Sequence, residues 1–220
     1  MIWLAGAAEA SDLPVSERAN MASSDALSFA IAAALDQAKV TAADLGPVDI
    51  YSCFPCAVFA AMDAMDSPER TLGDYTLTGG LSFFGGPGNG YALHSLTAMA
   101  QALRRDGSRP ALVTANGGVM SKQAVGVYSA QAPAKPWQGE VAGGYRPQSR
   151  EIDHAPSGRG RIISFCQPMV QDIPGAATLL LDMADGRRAL AVMEAAADHD
   201  LCGQYVQVMA GEKRHKAALE

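Results

Sequence analysis

A chain of 220 residues that is 49% hydrophobic and 18% charged can bury a full core, so it is not a disordered segment, and it has room for one domain or one with a smaller companion. The net charge of −6 without a basic block excludes nucleic acid as an expected partner. No apolar run reaches the roughly 20 residues that span a bilayer, no basic stretch opens the chain as in a signal peptide, and four cysteines at this length are no disulfide framework. The expected location is the cytoplasm.

Residues 2–7 form a short apolar run that predicts a strand. The polar, proline-broken stretch 9–21 predicts a loop. Ser23 or Ser24 can cap a helix that places Ala26, Leu27, Ala30, Ile31, Ala34 and Leu35 on one face. Thr41-Ala42-Ala43-Asp44 has the spacing of a capping box around a single turn. Residues 48–53 predict a strand, and Pro55 opens a helix carrying Val58, Phe59, Met62 and Met65.

Gly79-Gly80-Leu81-Ser82-Phe83-Phe84-Gly85-Gly86-Pro87-Gly88-Asn89-Gly90 is the stretch around which the rest is organised. Glycine at this density is placed where φ > 0 or close backbone approach is needed. A helical pattern follows at Tyr91, Leu93, Leu96, Met99, Ala100 and Leu103, ending near Asp106-Gly107. Amides leading into a helix N-terminus favour an anion or a polarised carbonyl, although a plain connecting turn has the same composition. Residues 111–115 predict a strand covered on both faces, Asn116-Gly117-Gly118 a turn, and 121–129 its partner strand. Strand and helix alternate, which predicts a layered α/β domain over 1–130.

From 131 to 160 the chain is rich in proline and glycine and includes Trp137 and Tyr145 without periodicity, as in a linker or draped loop. Beyond it, 162–165, 177–183, 189–194 and 205–209 predict strands of a small β module over 161–220, with Asp185-Gly186 as a hairpin turn. A helix over 187–197 is an open alternative, because alanine and glutamate are good helix formers.

Chemistry can be sought in three places. Cys53-Phe54-Pro55-Cys56 stands at a strand-to-helix junction, where a helix N-terminus would lower the pKa of Cys53; a redox dithiol and a pair of packed thiols are both open. Of Cys53, Cys56, His199 and Cys202 only the first pair has convincing metal-ligand spacing, the other two standing in a different module, and no metal site is expected. His94 falls four residues after Gly90 and can point back at the glycine segment, as a functional or a structural imidazole.

Four blocks in order, Ala7-Ala8-Glu9-Ala10-Ser11-Asp12, Asp49-Ile50-Tyr51-Ser52-Cys53-Phe54-Pro55, residues 79–94, and Thr114-Ala115-Asn116-Gly117-Gly118 with Gly126-Val127-Tyr128-Ser129, carry a resemblance to the C-terminal half of the thiolase superfamily. Within it they are similar to the acetyl-CoA acetyltransferase-like branch related to sterol-carrier-protein thiolases. The β module is similar to an extra OB-like C-terminal domain of that branch. The resemblance implies a layered α/β half with a mixed sheet, an acyltransferase acting on acyl-CoA, coenzyme A esters as substrate and no covalently bound cofactor.

Against the family's pattern, Tyr51 stands where an oxyanion-hole Asn or His is expected, Gly86 where the Gly-His-Pro histidine is expected, and Ala115 or Asn116 near the second catalytic cysteine. The resemblance implies that Met1 falls where the family's second half begins, with the nucleophile's half expected to be absent. The resemblance implies Tyr51, His94 and Asn116 as catalytic candidates and Gly85, Gly86, Pro87 and Gly117 as substrate-binding ones. Sterol side-chain aldolases of the superfamily make tyrosine-assisted C–C bond chemistry the enzymatic variant to expect, with a homodimer or a partner chain carrying the nucleophile. A CoA-ester-binding or assembly module without chemistry is the alternative.

Overall fold

The computed structural model describes residues 1–133, 140–194 and 199–220. The chain divides into two compact units, Met1–Asp12 with Asn20–Pro147, and Leu13–Ala19 with Gln148–Glu220.

The first unit is built on a four-stranded sheet, in the order β1 (Trp3–Ser11), β4 (Lys122–Ser129), β3 (Ala111–Gly117), β2 (Val48–Asp49). β4 runs antiparallel to both neighbours and β2 runs parallel to β3, so the sheet is mixed. β1 runs past the expected residue 7, because β4 offers a partner as far as Ser11↔Lys122. Asn116 and Gly117, expected in a turn, end β3, paired with Gln123 and Lys122. The reversal is displaced to 118–121, where Gly118 and Met120 take φ of 63° and 52°.

Helix α1 (Asp25–Ala38) starts as its sequence requires: the Ser24 side chain accepts from the Leu27 amide, and the six apolar residues named above are buried. Each fully buried Leu or Ile contributes about 2 kcal/mol. Lys39 in the left-handed region ends it, and the Val40 amide returns to the Leu35 carbonyl. The capping box at Thr41 and Asp44 closes a 3-10 turn over Ala42–Asp44. Helix α1 shares one hydrophobic core with Ala8, Ala10, Leu112, Val125 and Val127. The alternate β3 residues Ala111 and Val113 join Met99 and Leu103 of α4 (Tyr91–Arg105) in another. Alternation along β3 thus sets the two helices on opposite faces of the sheet.

Helix α2 (Pro55–Met65) begins with its proline but buries Ala57, Ala61 and Met65, leaving Phe59 exposed. A four-residue helix, α3 (Leu81–Phe84), lies inside the glycine segment. On α4 the buried positions are Tyr91, Ser95, Met99 and Leu103, spaced by four, and Leu93 faces outward.

Residues 48–53 do not form a full strand. Only Val48 and Asp49 pair with β3; the Ile50 amide donates to the Tyr75 carbonyl and the Tyr51 amide to Thr114 Oγ1 at 2.9 Å. The backbone leaves the ladder because these loop and side-chain acceptors replace a neighbouring strand.

The second unit is a closed barrel in the order β10 (Tyr205–Met209), β11 (Lys216–Leu219), β9 (Arg188–Met193), β8 (Ala177–Met183), β5 (Gly158–Cys166), with β10 paired back to β5. Only the β9–β11 pairing is parallel. A small hairpin, β6 (Met169–Val170) with β7 (Ile173–Pro174), and the closing strand β11 carry no clear signal in the sequence. Residues 188–193 are strand, since cross-strand partners along β8 outweigh local helix propensity; residues 195–197 of the helix alternative, and Trp137, lie outside the described residues. Ile162, Leu179, Leu181, Leu201 and Val206 fill the barrel. Arg188 is buried and donates to the carbonyls of Ser16, Arg18 and Ala19, which ties Leu13–Ala19 to β9.

Candidate functional site

The site is anchored by a buried carboxylate. Asp49, at the end of β2, is fully buried. Its Oδ1 accepts from Ser95 Oγ at 2.7 Å and Tyr91 Oη at 3.0 Å. Its Oδ2 accepts from the Leu77 and Thr78 amides at 2.8 and 3.0 Å and from Thr76 Oγ1 at 3.4 Å. Tyr91 gives its one proton to the carboxylate, so the Thr78 hydroxyl 2.7 Å away donates to Tyr91. Burial, and then the neighbouring Asp49 charge, push the Tyr91 phenol above its ordinary value.

This hub joins β2, the run into the glycine segment and the second turn of α4, and it sets the residues beyond it. The Tyr51 ring meets Tyr91 edge-on, with centroids 5.2 Å apart. Ser52 Oγ accepts from the Leu81 amide at 2.9 Å, holding the start of α3.

Tyr51, Asn116 and Gly117 line one open cleft of about 500 Å³, together with Asn89 and Ala92 at the start of α4 and Glu9 and Lys122 from the sheet. The helix N-terminus therefore opens on the cleft, where it favours partial negative charge. An apolar groove of about 250 Å³, lined by Leu4, Leu96, Val113 and Tyr128, shares Glu9, Ala92, Ala115 and Ala124 with the cleft. Asn116 Nδ2 lies 3.5 Å from Cys53 Sγ, while its Oδ1 is buried with no hydrogen-bond partner among the described residues.

Gly85, Gly86, Pro87 and His94 lie outside this lining. His94 does turn back on the glycine segment, with Nδ1 3.0 Å from the Gly85 carbonyl; a carbonyl only accepts, so Nδ1 carries the proton. Gly79, Gly80, Gly85 and Gly88 take positive φ, as the glycine density predicts. Gly86 answers the other requirement, close approach: a Cβ there would stand 2.8 Å from Tyr91 Cβ.

The expected lowering of the Cys53 pKa is overturned. Cys53 precedes Phe54, the cap of α2, and is half-buried, so desolvation pushes its thiol up. Cys53 and Cys56 are both free thiols, and Cys56 Sγ faces Met120 Sδ at 3.8 Å. Among the described residues no group of three His, Cys, Asp or Glu could hold a metal ion, and no helix is long and apolar enough to cross a membrane. Large apolar side chains stand in the open at Phe54, Phe59, Phe83, Leu93 and Val119 of the first unit.

Sequence reasoning missed Asp49, Asn89 and Lys122. Asp49 stands inside an apolar run and reads as a strand residue. Glu9 faces the cleft with Lys122 because β1 continues to Ser11; the alternation of β4 carried the signal for Lys122.

No protein-family model and no curated protein matches the chain. Among solved structures it is similar to a monomeric SCP2-thiolase-like protein type 1 from Mycobacterium smegmatis, with 30% identity and a TM-score of 0.88, over 100% of this chain and 50% of that one. Two structures of human mitochondrial 3-ketoacyl-CoA thiolase match at 19% identity. One covers 59% of this chain and 30% of its own at a TM-score of 0.48. The other, in complex with CoA, covers 58% and 30% at 0.46. The chain thus spans half the length of the mycobacterial protein. Its fold is thiolase-like α/β with a mixed sheet and a small β barrel.

Proposed function

We propose that this chain is the C-terminal-half type of a thiolase-like acyl-CoA enzyme and supplies the carbonyl-binding side of its active site. The observation that carries the reading is the cleft itself, where Tyr51, Asn116 and Gly117 from two distant blocks meet beside a helix N-terminus. Asn116 Nδ2–H polarises a thioester carbonyl, and developing negative charge on that oxygen is stabilised by the start of α4. Its buried, partnerless Oδ1 supports a bound donor at the same place. Tyr51 exchanges a proton with the reacting carbon or oxygen during C–C bond making or breaking. His94, fixed on Gly85, braces the glycine segment.

Among the described residues the cleft lining includes no cysteine, and burial disfavours the thiolate of Cys53 beside Asn116. The nucleophile then comes from a partner chain or from a longer form of this one. The exposed Phe54, Phe59, Phe83, Leu93 and Val119 support such an association, a homodimer included. The strand order of the barrel, with one parallel closing pair, supports an OB-like module.

A second reading, a CoA-ester-binding module without chemistry, is favoured by the Gly86–Tyr91 approach. A side chain where the resembled family has its histidine would crowd Tyr91.

Calorimetric titration of the chain with acetyl-CoA tests the first level of the proposal. Binding weakened about tenfold by Asn116→Ala is expected; no binding at millimolar acetyl-CoA overturns it. Tyr51→Phe then separates the readings: in an acyl-CoA-active complex, turnover unchanged by Tyr51→Phe leaves only the binding module.

A further inference from the structure

We infer that the barrel carries a second small-molecule site, for a phosphomonoester with an apolar body. The site is a cavity of about 360 Å³ over β8 and β9, walled by the loop that joins β10 to β11. Its floor is Leu190, Ala191 and Val192, and Leu190 is 43% exposed although it lies mid-strand. Lys213, Arg214, His215 and His154 complete its lining.

The loop that presents these groups is tightly folded. The His215 carbonyl accepts from the Val192 amide at 2.8 Å, fixing the loop to β9. The Gly211 amide donates to His215 Nδ1, so that the imidazole's Nε2 is left to act as a donor. A Cβ on Gly211 would stand 2.3 Å from the Arg214 carbonyl oxygen, so the turn depends on glycine. The backbone that carries the two cations is therefore fixed to β9, while their side chains are exposed.

Charge identifies the ligand. Arg159, Arg187 and Arg188 of the same unit are each tied to a carboxylate. Among the described residues Lys213 and Arg214 have no such partner. Two permanent positive charges and two imidazoles match a phosphomonoester, which carries about −1.5 to −2 at neutral pH, better than a monoanionic carboxylate. Glu212, in the same lining, would repel a second anionic group and accept from a ligand hydroxyl instead. An apolar floor with a cationic wall and a volume at the small end of ligand pockets suits one phosphorylated nucleoside or sugar, not a polymer.

The test is calorimetric titration of the 220-residue chain at low salt with adenosine 5′-monophosphate, adenosine and inorganic phosphate. Adenosine monophosphate is expected to bind, phosphate more weakly and adenosine not at all. Lys213→Ala with Arg214→Ala should weaken it on the order of 100-fold, roughly tenfold for each charge-assisted contact. Glu212→Gln should tighten it. Amide shifts on binding should centre on Leu190, Val192 and His215. No binding at millimolar nucleotide, or an undiminished affinity in the double variant, overturns the site. Phosphate binding as tight as the nucleotide overturns the apolar body. Shifts centred on Tyr51 and Asn116 instead place the nucleotide in the cleft and overturn the barrel site, while acetyl-CoA binding at that cleft is tested separately.

Discussion

Removing the Asp49 carboxylate separates two ideas about how the cleft is held. Asp49→Ala leaves five donors without their acceptor. The three hydroxyls can rotate toward other acceptors or water. The Leu77 and Thr78 amides cannot, and each buried donor left unpaired costs about 1–3 kcal/mol. The expected loss is thus about 4 kcal/mol, or a fall in melting temperature of roughly 8–16 °C for a chain of this size. Asp49→Asn should be far milder, about 1–2 kcal/mol. Its amide oxygen can keep the two backbone donors, and its NH₂ can donate to Ser95 and Tyr91, whose hydroxyls reverse. Urea unfolding gives the total, and amide hydrogen exchange at Leu77 and Thr78 locates it, with protection lost in the alanine variant and retained in the asparagine one. Equal stability of Asp49→Ala and the parent, or a larger loss for asparagine than for alanine, would falsify the hub.

Three further outcomes are expected. Gly86→Ala should cost about 1–3 kcal/mol, because the new Cβ meets Tyr91 at 2.8 Å, whereas Gly143→Ala, with nothing within 4 Å, should stay within about 0.5 kcal/mol; equal thermal shifts for both would refute the close approach. From neutral pH up to about pH 9 stability should hold, and above that it should fall. Burial raises Cys53 above 9.0 and Tyr75, Tyr91 and Tyr128 above 10.0, so the fold prefers their neutral forms while the unfolded chain releases these protons at ordinary pH values; a urea midpoint constant to pH 11 contradicts this. Arg188→Ala should free the 16–19 segment from β9 at a cost of about 3 kcal/mol and speed tryptic cleavage after Arg18; an unchanged cleavage rate means the segment is held otherwise.

What was legible in the sequence is what is decided locally. The Ser24 cap and the apolar spacing of α1, the Thr41–Asp44 box, and the Asp185-Gly186 turn each fix their own conformation within a few residues. Beyond Asp49, residues 50–53 escaped because their partners, the Tyr75 carbonyl and Thr114 Oγ1, are distant and one is a side chain. Strand β11 escaped because it buries only Ala217 and is specified by β9 and β10. In the cleft, Tyr51, Asn116 and Gly117 were reached through their blocks. The direction of the Cys53 shift was not, since a position one residue before the cap exchanges helix-dipole stabilisation for desolvation.

The path of the chain bears on how the protein is made. Arg188 holds carbonyls as far as 172 residues earlier in the chain. At about 5–20 residues per second, synthesis separates these partners by roughly 10–30 s. Through that interval Leu13–Ala19 has been made while the strand that will grip it is still untranslated, although β1 just ahead of it waits only for β4. The barrel therefore closes around a segment delivered well before its strands. A gene truncated after residue 147 would lose more than a C-terminal appendage, because the early segment would be left without the strand that receives it.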